Sequence, residues 1–136
     1  MNNPVNGSLP ESFAELDSGY EFPPANYELN STIISTYNEA VEASLKVTDV
    51  VPPLAIAAYA LKAVSQNFAL PPGSIHVNQE FEFFKQVPVG TCINCRAKIA
   101  QRINRAKLNM LVIELNAFDQ SNGKILSGKA TIILGN

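Results

Sequence analysis

The chain has no tryptophan, one histidine and two cysteines among its 136 residues, and each scarcity closes off a class of chemistry. His76 alone cannot furnish a histidine-rich metal centre, and Cys92 with Cys95 cannot furnish a four-thiolate one. No Gly-rich phosphate loop, nucleophile elbow or base-stacking aromatic motif occurs. The opening Met-Asn-Asn-Pro-Val-Asn-Gly-Ser lacks the basic start and apolar stretch of a secretory signal. No apolar run reaches the roughly 20 residues that cross a bilayer. With no export signal and few cysteines, a cytoplasmic protein with no membrane association is expected. A net charge of −2 gives no bulk attraction to nucleic acid.

Charge is sparse as well, at 16% of residues, and unevenly placed. Residues 1–49 hold eight acids against Lys46, whereas the rest holds four acids against nine bases. A single fold that brings the two halves together neutralises this imbalance. A chain of this length makes one domain and buries roughly two thirds of its unfolded surface. Residues 1–11, rich in Asn, Pro, Gly and Ser, read as a mobile tail, and 12–136 as the domain.

Two helices and a sheet follow from periodicity. Asn30 or Ser31 can cap a first helix, in which Ile33, Ile34, Tyr37, Ala40 and Val41 recur at helical spacing. Pro52 and Pro53 open a second helix, where a missing N–H costs nothing. From Leu54 to Val64 only Lys62 carries charge, so this helix is apolar on every face and predicts enclosure. Pro71-Pro72-Gly73 ends it. The remainder alternates as strands over 74–86, 91–103, 108–118 and 125–134. The turns expected between them lie at Pro88-Val89-Gly90, around Asn104-Arg105, and at Asp119–Gly123, where Asn-Gly tolerates positive φ. A short extended segment precedes the first helix. The fold class expected is α+β: one long buried helix wrapped by an antiparallel sheet of about five strands.

A capped amphipathic helix, a Pro-Pro-led apolar helix, Leu70-Pro-Pro-Gly-Ser-Ile-His-Val-Asn-Gln-Glu-Phe-Glu-Phe83 and a three-strand meander resemble the MaoC-like hydratase/dehydratases of the hotdog fold. Val51-Pro-Pro53, Pro88-Val-Gly90 and Gly128-Lys-Ala-Thr131 extend the likeness over about residues 12–135. The resemblance implies a protein that handles acyl thioesters on coenzyme A or an acyl-carrier protein. It also implies pairing of the edge strand near Val77–Phe84 with a second subunit, as a homodimer or a hetero-oligomer with another hotdog chain. Active members carry an Asp and a His in a Gly-Asp-x-Asn-Pro-x-His loop between the two helices. Here the corresponding stretch reads Glu42-Ala-Ser-Leu-Lys-Val-Thr-Asp49, with neither Gly-Asp, Asn-Pro nor His.

The leading expectation is therefore an acyl-thioester-binding protein without its own hydratase dyad, suited to be the noncatalytic subunit of a hetero-oligomer. Alternatives are an (R)-specific enoyl-thioester hydratase or a thioesterase with non-standard residues, and a hydrophobic-ligand binder or scaffold. Asp49 and His76 are the weak catalytic candidates, as acid–base groups. Asp49 equally suits the positive end of the following helix, and Glu39 and Glu42 its predecessor's solvated face. Substrate-binding candidates are the helix-start amides of Leu54 and Ala55, which could polarise a thioester carbonyl. Arg102 and Arg105, in a basic run with Arg96, Lys98 and Lys107, could meet phosphates, though a solvated hairpin is equally basic. Cys92 and Cys95, three apart in a strand, point to opposite faces and predict no metal site. No cofactor is expected; coenzyme A enters only as the carrier of a thioester ligand.

Overall fold

The structure is a computed structural model and describes residues 16–40, 50–65 and 70–135. The expected tail 1–11, Glu42, Asp49 and the expected helix end near Phe68 lie outside the described residues, as does the side chain of Glu39. The elements are β1 (Ala25–Glu28), α1 (Ser31–Ala40), α2 (Pro53–Ser65), β2 (Ile75–Phe83), β3 (Cys92–Arg105), β4 (Leu108–Phe118) and β5 (Lys124–Ile133). Asn30 caps α1, its Oδ1 accepting the Ile33 N–H at 2.9 Å.

All five strands form one antiparallel sheet in the order β1-β3-β4-β5-β2. Period-two patterning sets its two faces. Ile93, Cys95, Ala97 and Ile99 of β3, Leu111, Ile113, Leu115 and Ala117 of β4, and Ala130 and Ile132 of β5 are all buried on one face. The helix α2 packs there, against β3 and β4. Its alanines at 55, 57, 60 and 63 are buried, and their small side chains let the helix approach the strands closely. The opposite face carries a row of alternating charge, Lys98–Glu114–Lys129–Glu80, set side by side by the strand register. Opposite charges at adjacent cross-strand positions suit a solvated face.

Three expectations are corrected. First, the enclosure of α2 is one-sided among the described residues: Leu54 is 65% exposed, and Ala58 and Lys62, four and eight residues on, continue the same strip. A single sheet covers one side of a helix, and all-round apolarity says nothing about what covers the other. Second, the β3–β4 turn is Ala106-Lys107 rather than Asn104-Arg105, with Ala106 at φ 52°. Composition favoured Asn104, but the sheet register pairs Asn104 with Asn109. Third, a bulge at Val77 breaks the alternation of β2, setting His76 opposite Ile132 and Asn78 opposite Thr131. The Asp119–Gly123 loop forms as expected, with Asn122 at φ 62°.

Candidate functional site

The approach to α2 is extended and anchored. Val50 forms an antiparallel bridge with Pro88, and the Val51 N–H donates to the Val87 carbonyl at 2.7 Å. Facing the start of α2, β2 ends at Phe83, and the Phe84 N–H donates to the Ile125 carbonyl at 2.8 Å. Between these two elements lies a groove of about 310 Å³. Its floor is Val51, Ile56 and Val87, each at most 2% exposed. Its walls include Phe83 and Phe84, 40% and 47% exposed, with Lys85 and Gln86 at the rim. An apolar cleft with a few polar groups at its mouth is the usual form of a small-molecule site.

One cation, Lys85, lines the groove, and a second, Lys124, stands beside its Phe84 wall. The Lys85 ammonium pairs with the Asp119 carboxylate, which also accepts the Ser121 and Gly123 N–H groups at 2.9 and 2.7 Å. The Lys85 ammonium, followed by the Gly123 amide, holds the Asp119 carboxyl below its ordinary range. The Lys124 Nζ lies 5.9 Å from the centre of the Phe84 ring, an electrostatically favourable placement. Neither lysine stands out in one dimension, because strands and turns separated by about forty residues bring them together.

The groove gathers only some of the residues expected from sequence. Leu54 and Ala55 sit at the start of α2, beside the groove residues Pro53 and Ile56. The Ala55 N–H donates to the Pro52 carbonyl at 3.0 Å, so that amide is already used, and Leu54 supplies the preceding one. Arg102 and Arg105 lie at the other end of the sheet. Arg105 pairs with Leu108, and β4 then runs to Phe118 before reaching the groove end. At roughly 3.4 Å per residue that separation is about 35 Å. The Arg102 guanidinium donates to the Leu16 carbonyl at 2.7 Å and to Asn109 Oδ1 at 3.2 Å, pinning the 16–22 segment to the sheet. His76 is exposed at the start of β2, a strand length from Phe83. Asp49 lies outside the described residues.

The cysteines part as expected. Cys95 is buried among Ile93, Ala97 and Ile99, and burial pushes its thiol up to about 12, whereas Cys92 is half-buried. Among the described residues no group of three or more His, Cys, Asp and Glu converges on a metal position. No helix among them is long and apolar enough to cross a membrane.

No family model and no curated protein matches the chain. Solved structures do. An (R)-hydratase from A. caviae involved in PHA biosynthesis matches with a TM-score of 0.73 at 15% identity, over 89% of this chain and 98% of that one. A MaoC-like dehydratase from Rhodospirillum rubrum matches with a TM-score of 0.69 at 14% identity, over 90% and 94%. The C-terminally truncated HadBC (3R-hydroxyacyl-ACP dehydratase) complex from Mycobacterium tuberculosis matches with a TM-score of 0.62 at 16% identity, over 85% and 96%. The fold is the hotdog fold, shared with MaoC-like hydratases and dehydratases.

Proposed function

We propose that the protein binds an acyl thioester in the groove between α2 and the end of β2, and that it does so as the noncatalytic partner in a hotdog hetero-oligomer. The observation that carries this reading is the groove itself: an apolar floor at a helix start, with Lys85 lining it and Lys124 beside its Phe84 wall. The floor suits an acyl chain. The Leu54 amide and the positive end of α2 suit the thioester carbonyl. Lys124 suits an anionic carrier, coenzyme A or an acyl-carrier protein, and stands nearer the groove than Arg102 and Arg105, whereas Lys85 is already paired with Asp119.

A second subunit suits the edge. Among the described residues β2 pairs with β5 on one side only, and Ile75, Val77, Phe83 and Phe84 are exposed along it. An unpaired apolar strand edge is a template for another strand. Leu54 and Ala58 of α2 add a second exposed apolar strip. The heteromeric HadBC complex is a dehydratase with this fold, which supports a chain that shapes a site while another supplies the acid–base pair. The stretch 42–49 contains no histidine to accompany Asp49, and His76 stands at the far end of β2.

Titration of the purified protein with crotonyl-coenzyme A tests the reading, with enoyl absorbance followed in parallel. Saturable binding without loss of the enoyl band is expected. Turnover by the isolated chain would assign it a hydratase or thioesterase activity of its own. Failure to bind at millimolar ligand would leave a scaffold or a binder of another hydrophobic ligand.

A further inference from the structure

The outer face of the sheet, away from α2, changes character toward the β3–β4 hairpin. A bulge at Ala100 shifts β3 by one residue, so side chains beyond it change sides. Arg102 pairs with the buried Leu111 and so lies on the α2 side, where Asn104 and Asn109 follow it. Apolar residues take the outer side instead. Ile103, Met110, Ile133 and Ile75 form one cross-strand row over β3, β4, β5 and β2, flanked on β4 by Leu108 and Val112. Ile75 is 56% and Leu108 40% exposed, and the other four are half-buried. Toward the middle of the sheet the same face returns to charge, with Glu21, Lys98, Glu114, Lys129 and Glu80 in one row. A hairpin in water gains nothing from polar side chains turned inward and a contiguous apolar patch turned outward; such a patch marks a contact surface.

We infer that this patch is a self-association surface, on which a second copy of the chain packs sheet against sheet. It is separate from the groove and from the β2 edge, and it does not rest on the acyl-thioester reading. The patch is self-complementary. A two-fold axis running across the strands at Leu111 sets Met110 of each copy on Val112 of the other, in two nearly aligned sheets about 10 Å apart. The same rotation exchanges the rows three residues to either side, Leu108 with Arg105 and Glu114 with Lys98. Arg105 and Lys107 of the hairpin thereby approach a row of three carboxylates and two ammonium groups. Opposite charges flank an apolar centre on both copies, which fixes the orientation. Six partly exposed apolar side chains offer roughly 400 Å² per copy, about half of what a stable interface uses. The contact is therefore weak, forming at concentrations on the order of 100 μM.

The chain contains no tryptophan, so Met110→Trp in the full chain carries a single reporter at the centre of the patch. Met110 lies two strands in from the β2 edge, and pairing at that edge leaves its surroundings unchanged. The emission is expected to move to shorter wavelength between about 1 μM and about 1 mM, while the light-scattering mass of the native chain about doubles. Leu108→Lys is expected to hold the mass at its dilute value with circular dichroism unchanged. Arg105→Glu is expected to weaken the association by about two- to fivefold in low salt. Emission that stays at long wavelength at every concentration, or that shifts while the native mass is constant, overturns the proposal. Emission at short wavelength throughout means that the patch is already covered. A mass that Leu108→Lys then halves assigns the cover to a second copy, whereas an unchanged mass assigns it to the same chain and overturns the proposal. Arg105→Glu decides in its place if Leu108→Lys does not fold.

Discussion

Cys92 and Cys95 are chemically identical, yet the pleat of β3 gives them different fates. Cys95, raised from 9.0 to about 12 by burial, is held as the neutral thiol. The raised value stabilises the fold fully below the ordinary thiol value. That contribution is lost as pH climbs from about 9 toward 12, because the unfolded thiol ionises first. In a thiol-reagent assay Cys92 is expected to label in the native state, and Cys95 only on unfolding. Asp119 shows the opposite sign. Its carboxyl, lowered by Lys85 and the loop amides, stabilises the fold above its ordinary value of 3.8. The contribution disappears as pH falls below that value and through the lower folded one. Asp119→Asn is expected to flatten this acid limb in denaturant titrations at pH 7 and pH 3. Gly128 is a third case: a Cβ there would lie 2.6 Å from the Glu80 carbonyl oxygen and from the Phe81 ring. Gly128→Ala is expected to cost about 1–3 kcal/mol of stability in urea unfolding. The cysteine faces were readable from strand alternation. The roles of Asp119 and Gly128 were not, since both depend on residues from another strand or loop.

At the level of elements, the strongest periodicities proved the most legible. The β4 span Leu108–Phe118 and the buried row on β5 follow from alternation alone. The second helix was equally plain from its Pro-Pro start, but its environment was not. Apolar residues on all faces announce that burial is needed, without saying whether one chain supplies it. The exposed strip from Leu54 and the open edge of β2 both favour a partner. Val77→Lys places a charge on that edge, a device that blunts strand addition. On the proposed assembly through this edge, the variant is expected to shift the protein to a monomer in light scattering while its circular dichroism is unchanged. A variant that stays assembled would locate the interface elsewhere. His76 illustrates what alternation misses: one extra residue at Val77 moves it to a different sheet position.

At the scale of the whole molecule, the antiparallel meander sorts the charges to two ends. Arg102, Arg105 and Lys107 gather about the β3–β4 hairpin, while Lys85 and Lys124 gather at the groove. Sequence clustering pointed to the arginines, because neighbours in the chain are easier to notice than neighbours in space. Lys124→Ala is expected to weaken crotonyl-coenzyme A binding by about three- to tenfold in low salt, and less at 0.5 M salt where charges are screened. Arg105→Ala is expected to leave that affinity unchanged. The reverse result would return the carrier to the hairpin end.

The elements and the two faces of the sheet were determined by the sequence itself, because helix and strand periods depend only on backbone geometry and on which side chains avoid water. So was the absence of histidine from residues 42–49, which is a matter of residue identity. The tertiary structure alone decided that Val51, Ile56, Phe83 and Val87 meet around one groove, with Lys85 lining it and Lys124 beside its Phe84 wall. A lining residue and a core residue have the same apolar chemistry, and only the register of β2 against β5 and the anchoring of Val51 to Val87 distinguish them.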